Sequence, residues 1–179
     1  MDAPRFILWR EQDRSYVGLV VALAIVFAAL VMVFFVIFSS ARVDGESMMP
    51  ALLPEDHVLI TRGYDTPRVG DIVSADVMTD TGPDNVIKRI IALPGDTVVM
   101  RGSAAYVNDA LSTAAPDPVL AKSSLLGDTV VVPEGHVYLL GDNRPVSYDS
   151  RFIGPVPLTA VTGRVILVFS PITRWRIVD

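Results

Sequence analysis

The sequence predicts a mainly β fold of antiparallel, barrel-like sheet, preceded by one transmembrane helix at the N-terminus. Two observations lead to this prediction. Residues 17–38 contain no charged side chain and consist almost entirely of Val, Leu, Ala, Ile and Phe. The chain that follows instead has short runs rich in valine and isoleucine, separated by turn residues, and no stretch with the periodicity of an amphipathic helix of ordinary length.

The apolar run is long enough to cross the roughly 30 Å hydrocarbon core of a membrane as a helix. The alternative is a cleavable signal peptide, because Ser39-Ser40-Ala41 resembles a cleavage site, but the apolar region of such peptides spans only about 7 to 15 residues. Three arginines precede the run and only Arg42 follows it closely, which favours a cytoplasmic N-terminus. We expect a cytoplasmic tail, a membrane span and an extracytoplasmic domain over residues 1–16, 17–38 and 39–179.

Strands are predicted where β-branched runs lie between turn signals containing proline, glycine or aspartate. The candidates are His57–Thr61, Asp71–Val77, Val86–Leu93, Thr97–Arg101, Thr129–Val132, His136–Leu140 and Gly163–Phe169. Residues 102–127 have no such pattern, and Asn108-Asp109 is a possible hairpin turn there. We expect this region to be a peripheral excursion from the sheet.

Composition excludes several classes of function. The net charge of −5 leaves no basic patch for a nucleic-acid partner. The chain has no cysteine, which removes disulfides, thiolate metal ligands and cysteine nucleophiles. Because His57 and His136 are the only histidines and no carboxylates stand at ligand spacing around them, we expect neither a metal nor another cofactor.

Ser47 and Lys88 are the candidates for catalysis. Ser47 lies in Gly45-Glu46-Ser47-Met48-Met49-Pro50, a constrained turn close behind the apolar run. No histidine stands where a Ser/His/Asp triad would need one, but Lys88 lies within an otherwise apolar strand candidate. Burial disfavours the charged form of a lysine, and a neutral lysine can act as the base for a serine. The pattern therefore indicates a Ser/Lys nucleophilic site.

Four motifs in order after a single membrane anchor resemble those of bacterial type I signal peptidases, the membrane-anchored Ser/Lys endopeptidases. They cover essentially the whole chain except residues 102–127. The motifs are Ser47-Met48-Met49-Pro50, Gly70-Asp71-Ile72-Val73, Lys88-Arg89 followed by Pro94-Gly95-Asp96, and Gly141-Asp142-Asn143 continuing through Ser147, Asp149, Ser150 and Arg151.

The resemblance implies a role for each matching residue. Ser47 would be the nucleophile, Lys88 its general base, and Ser147 a hydroxyl that hydrogen-bonds the lysine amine and orients it. Gly45 stands where some members carry a serine that binds the oxyanion, so backbone N–H groups, chiefly that of Ser47, would take this part here. Two ion pairs with structural rather than chemical roles are also implied, Asp142 with Arg89 and Asp149 with Arg151.

The implied substrates are precursor proteins with cleavable signal peptides, processed at the membrane lipid surface. An extended segment ending in small residues could pair with a strand edge and place alternate side chains in shallow apolar pockets. Met48, Met49 and Ile87 are the expected walls, although core packing is an equally good interpretation of Met49. The close spacing of Ser47 and Phe38 predicts an active site at the outer membrane surface.

Two other functions stay open at this point. One is a Ser/Lys processing peptidase dedicated to a single pilin-type or conjugative partner. The other is a catalytically silent, membrane-anchored β-domain that binds secreted proteins. The intact set of Ser47, Lys88 and Ser147 argues against the second, because a binding module does not need it.

Overall fold

The computed structural model describes residues 6–115 and 126–178, with the side chains of residues 16–115 and 129–178. Its first element is α1, the 32-residue helix Phe6–Ile37. The segment Tyr16–Ile37, with a mean hydropathy of 3.3, is long and apolar enough to cross a membrane. The helix includes residues 6–16 of the predicted tail, and it ends at Ile37, directly before a strand that begins at Phe38.

In the described part of the chain after Ile37, strands are the main regular structure, which confirms the predicted mainly β class. The elements are β1 Phe38–Arg42, β2 His57–Arg62, β3 Ile72–Thr79, β4 Gly82–Ala92, β5 Thr97–Arg101, β6 Ala104–Val107, β7 Ala110–Leu111, β8 Leu126–Val131, β9 His136–Leu140, β10 Val156–Pro157, β11 Val161–Ser170 and β12 Arg176–Ile177. One short helix, α2 Ser150–Ile153, lies between β9 and β10.

All seven predicted strands are present, but the sequence pattern missed five others. β1 was not predicted because Ser39-Ser40-Ala41 contains no β-branched or aromatic residue. β7, β10 and β12 have only two residues each, too few to show an alternation. The excursion at residues 102–127 contains the hairpin β6–β7. Its turn is formed by Asn108 and Asp109, as predicted, with φ of 50° and 65°. Residues 116–125 of the excursion lie outside the described residues.

The strands form two sheets. The larger has the order β1-β2-β11-β3-β4-β9-β10, with β12 paired to β11, and the smaller has the order β7-β6-β5-β8. Every pairing is antiparallel. Strand β4 pairs with β3 from Gly82 to Arg89, but with β9 only from Arg89 onward. Among the described strands, residues 82–88 therefore have a partner on one edge only.

Buried apolar side chains form three clusters. One centres on Met48, Leu52 and Val58 and lies under the turn that carries Ser47. Another, around Val73, Ile90 and Leu139, joins β3, β4 and β9, and the third packs the smaller sheet against β4 and β9. β4 contributes to more than one cluster, so the strand that carries Lys88 is held rigidly.

Candidate active site

Ser47 lies in a loop, residues 43–56, that connects β1 to β2. The loop is closed by two backbone hydrogen bonds, Val43 N to Asp56 O and Glu55 N to Val43 O, both 2.8 Å. Met48 and Leu52 are almost completely buried in the core beneath the loop. Because the residue after Ser47 is fixed in the core, the half-buried serine is presented from a rigid turn.

Lys88 reaches this turn from β4. It lies opposite Val73 of β3, and its side chain is only 5% exposed. The Nζ atom donates to Ser47 Oγ at 2.9 Å and to the carbonyl oxygen of Ile87 at 3.1 Å. The two residues singled out in the sequence, 41 positions apart, are therefore in direct contact.

Burial lowers the pKa of Lys88 below its ordinary value of 10.5, since the desolvated ammonium is disfavoured relative to the neutral amine. The nearby carboxylates of Asp149 and Asp84 act in the opposite direction, and the Arg151 guanidinium lowers the pKa further. Desolvation is the largest of these effects, as expected from the apolar neighbours of Lys88. The amine is thereby brought closer to the neutral state that a base requires.

Both ion pairs implied by the motifs are present. Arg89 donates from Nε and Nη2 to the two carboxylate oxygens of Asp142 at 2.9 and 2.7 Å, and both residues are buried. Arg151 donates from Nε and Nη2 to Asp149 at 2.7 and 2.9 Å. Such two-point pairs fix geometry as well as charge. The Arg89–Asp142 pair therefore holds the loop 141–151 against β4, and the Asp149–Arg151 pair stabilises the conformation of the loop.

Asp149 and Arg151 also bind the backbone of that loop. Asp149 Oδ2 accepts from Gly141 N at 3.0 Å, and Asp149 caps the N-terminus of α2. Arg151 Nη2 donates to the carbonyl oxygens of Arg144 and Ser147 at 2.8 and 2.9 Å. The pair therefore sets the path of the backbone around Ser147.

The expected hydrogen bond between Ser147 and Lys88 is absent, and this prediction was wrong. Among the described residues, the buried Ser147 Oγ has no hydrogen-bond partner, and the lysine amine donates instead to Ser47 Oγ and the Ile87 carbonyl oxygen. Ser147 packs instead on Gly141, where a Cβ would lie 2.2 Å from Ser147 Oγ and 2.6 Å from Ser47 O. Only glycine allows this approach.

A cleft of about 260 Å³ opens beside the dyad. One wall follows the end of β1 and the loop after it, and the other follows the unpaired edge of β4. The lining residues are Ala41, Arg42, Val43, Asp44, Gly45, Ser47, Met48, Asp84, Asn85, Val86, Ile87 and Lys88. Since β1 and β4 are separated by three strands in the sheet order, the sheet must curl to bring them to one cleft, which gives it its barrel-like form.

The expected substrate walls are only partly found. Ile87 and Met48 line the cleft, although Met48 is 1% exposed and mainly a core residue. Met49 is not among the lining residues. Gly45 lines the cleft and is exposed, and a Cβ there would meet nothing within 4 Å.

Sequence reasoning gave no role to Asn143 or Arg144, although both lie in the quoted motif. Asn143 donates from N to Ser47 O at 2.9 Å and from Nδ2 to Glu46 O at 3.1 Å. Arg144 is 3% exposed and donates to the carbonyl oxygens of Gly141 and Ser103 at 2.8 and 2.7 Å. The only available signal was that polar residues are dense in a stretch flanked by apolar strands.

Comparisons with known proteins show the family of this chain. A family model described as signal peptidase, peptidase S26, matches residues 16–170. Signal peptidase I of Bacillus licheniformis is 33% identical over 175 residues, which cover 89% of this chain and 90% of that protein. Signal peptidase I S of Bacillus subtilis is 32% identical over 170 residues, covering 87% and 89%.

A crystal structure of a signal peptidase I from Enterococcus faecalis aligns at 30% identity and a TM-score of 0.42, covering 56% of this chain and 97% of that one. The family assignment depends on the sequence matches, which extend from the apolar helix into β11. The chain belongs to the signal peptidase family, peptidase S26, and is a membrane-anchored serine endopeptidase of that family.

Proposed function

We propose that Ser47 and Lys88 form the dyad with which this enzyme removes N-terminal signal peptides from precursor proteins. The observation that carries the proposal is the 2.9 Å contact between Lys88 Nζ and Ser47 Oγ, at a buried lysine whose pKa is lowered by desolvation. A base must lie within hydrogen-bonding reach of the proton it removes and must be neutral at working pH. Lys88 meets the first condition by its contact with Ser47 Oγ, and desolvation shifts its pKa in the direction that the second requires.

The chemistry follows from this contact. Once Lys88 is neutral, the Ser47 hydroxyl can donate to its lone pair, and Nζ takes the proton as Oγ bonds to the scissile carbonyl carbon. Lys88 then gives that proton to the leaving amine as the C–N bond breaks, leaving an acyl ester on Ser47. Water attacks the ester carbonyl while Lys88 takes a proton from it. As the C–O bond to Ser47 breaks, Lys88 returns that proton to Oγ, which releases the signal peptide with a free carboxylate and restores the serine.

The two edges beside the cleft support an extended substrate. One wall is formed by the end of β1 and the residues after it, and the other by residues 84–88 of β4. Both β1 and this part of β4 have one edge without a partner among the described strands. A peptide lying between them can use its backbone hydrogen bonds while alternate side chains face the walls. The limited volume of the cleft, about 260 Å³, favours small side chains near the scissile bond.

We further propose that the N-terminus is cytoplasmic and residues 39–179 extracytoplasmic, since arginine is concentrated before the helix. Protease added to intact spheroplasts should then digest the β domain. Protection of this domain until the membrane is opened would reverse the orientation.

A membrane lipid surface is proposed as a partner of the β domain itself. The end of β11 and the segment up to β12 expose four large apolar side chains, Phe169, Ile172, Trp175 and Ile177. Such a patch is typical of a membrane or protein contact. In a Trp9→Phe variant Trp175 is the only tryptophan, and brominated lipids should quench its fluorescence; unquenched fluorescence would exclude this contact.

The test of function uses purified full-length enzyme in detergent and a panel of unrelated precursors. Wild type should cleave all precursors that have alanine at −1 and −3, and a bulky or charged residue at −1 should prevent cleavage. Ser47→Ala should bind precursor without cleaving it. Cleavage by Ser47→Ala would disprove the proposed nucleophile, and cleavage of a single precursor only would favour a dedicated processing peptidase.

A further inference from the structure

Asn143 contacts both peptide groups that flank Ser47. Its backbone N–H donates to Ser47 O at 2.9 Å, and its side-chain Nδ2 donates to Glu46 O at 3.1 Å. The carbonyl of Glu46 belongs to the peptide unit before Ser47, and the carbonyl of Ser47 belongs to the unit after it. One residue of the 141–151 loop therefore constrains the backbone of the nucleophile on both sides.

The peptide bond between Glu46 and Ser47 is trans, since the only cis bonds described are Met49–Pro50 and Ser170–Pro171. In a planar trans peptide the C=O and N–H point in opposite directions. Holding Glu46 O with the Asn143 amide therefore directs the Ser47 N–H away from Asn143. Asn143 does not line the substrate cleft, whereas Ser47 does, so this direction is compatible with an N–H facing the substrate.

The Ser47 N–H is also available. Among the residues that the structure describes, none accepts a hydrogen bond from it. A donor that is oriented in advance and unoccupied is what stabilisation of a developing oxyanion requires, because no reorganisation is then needed during the reaction.

Asn143 is itself well held. Its neighbour Asp142 is 2% exposed and paired with Arg89 of β4. Its other neighbour, Arg144, is buried and bonded to Gly141 O and Ser103 O. The amide between these two anchors cannot drift without breaking buried polar contacts, which is costly. Its position relative to Ser47 is therefore reproducible from one turnover to the next.

We propose that Asn143 is a positioning residue that aims the Ser47 N–H at the oxygen of the scissile carbonyl. This inference rests on the proposed function of Ser47 as nucleophile. It assigns a task in the reaction to a side chain that touches neither the substrate cleft nor Lys88. The contribution is made in the transition state, where the oxygen carries charge, and not in the binding of the precursor.

The test compares Asn143→Asp and Asn143→Ala with wild type on a peptide substrate that has alanine at −1 and −3. A carboxylate or a methyl group cannot donate to Glu46 O, while the backbone N–H contact with Ser47 O remains in both variants. We expect kcat to fall on the order of 10²-fold, the effect of losing one oriented oxyanion donor. KM, the pH at which activity is half-maximal and binding of the cleaved product peptide should be unchanged.

A peptide aldehyde of the same sequence supplies a second readout, since its adduct with Ser47 carries the oxyanion. Its affinity should fall by the same factor as kcat. Asn108→Asp is the matched control. Asn108 lies in the turn between β6 and β7 and donates to Asp96, so this change disturbs a structural hydrogen bond and should leave kcat of the folded enzyme unchanged.

Unchanged kcat in both Asn143 variants, or a rise in KM at constant kcat, would overturn the assignment. A loss that parallels the unfolded fraction measured in the same samples would also overturn it, by showing that Asn143 serves stability only. Failure of the proposed function is distinguishable, because Ser47→Ala would then still cleave the substrate.

Discussion

Two adjacent residues of β4 place buried cationic side chains in different surroundings. Lys88 is 5% exposed and Arg89 is 4% exposed. Arg89 meets the Asp142 carboxylate at two points and also donates to the Gly70 carbonyl. Lys88 donates only to a hydroxyl and a carbonyl oxygen, and forms no ion pair among the described residues. Burial opposes the charge at both residues, but only at Arg89 does a carboxylate partner offset it.

The difference shows how one strand can serve both structure and catalysis. A buried arginine with a carboxylate partner forms a two-point ion pair, which here fixes the loop that carries Asp142. In a buried lysine without such a partner, desolvation favours the neutral amine. This form has the lone pair that accepts the Ser47 proton. The nature of the partner, more than the degree of burial, separates the two tasks.

The largest expected effect comes from giving residue 88 the arginine side chain of residue 89. Lys88→Arg keeps the positive charge, but a guanidinium does not release its proton. Cleavage should fall by roughly 10⁴-fold or more, as when a catalytic base is removed from a serine protease. The measurement is single-turnover cleavage by full-length variant free of other peptidases. Cleavage near the wild-type rate would mean that another group activates Ser47.

The next effect comes from removing the partner of Arg89. Asp142→Asn leaves a buried guanidinium without its carboxylate, which should lower the free energy of unfolding by about 3 kcal/mol or more. The melting temperature in detergent should fall on the order of 6–12 °C.

Asp44→Asn is the control for that measurement, since Asp44 faces Arg42 at 3.5 Å with a side chain that is 84% exposed. Exposed pairs contribute roughly 0–1 kcal/mol, so its melting temperature should hardly change. Equal shifts in the two variants would contradict the structural role of the Arg89–Asp142 pair.

The pH dependence of cleavage tests the role of Lys88, the buried residue without a carboxylate partner. Because burial lowers the pKa of Lys88, kcat/KM should rise with pH as the amine loses its proton, with a midpoint below the ordinary value of 10.5. A profile that climbs only near pH 10 would show that Lys88 is not desolvated in the working enzyme.

Stability should respond to the same proton with a smaller effect. Between the lowered folded pKa of Lys88 and its unfolded value of 10.5, the unfolded state binds more protons, so the free energy of unfolding contributed by this group increases with pH. Lys88→Met has no such proton and should lack this increase. Parallel pH curves of unfolding for Lys88→Met and wild type would contradict the effect.

Much of this protein was predictable from local patterns. The uncharged run before Phe38 and the valine- and isoleucine-rich segments determine the membrane helix and the β class, because both depend on composition over a few turns or a few pairs of residues. Resemblance in four short motifs also brought Ser47 and Lys88, and both ion pairs, to notice. Short strands such as β7 and β10 were not predictable, because two residues show no periodicity.

Tertiary structure decided what the motifs could not. Ser147 lies in the expected motif, but whether its hydroxyl meets Lys88 depends on the direction of the lysine amine, and that amine turns to the Ile87 carbonyl. The role of Asn143 depends on a contact across 97 residues with Glu46. The cleft itself exists because the sheet curls until β1 and β4 face each other, and curl is a property of all the strand pairings together, which no single stretch of sequence contains.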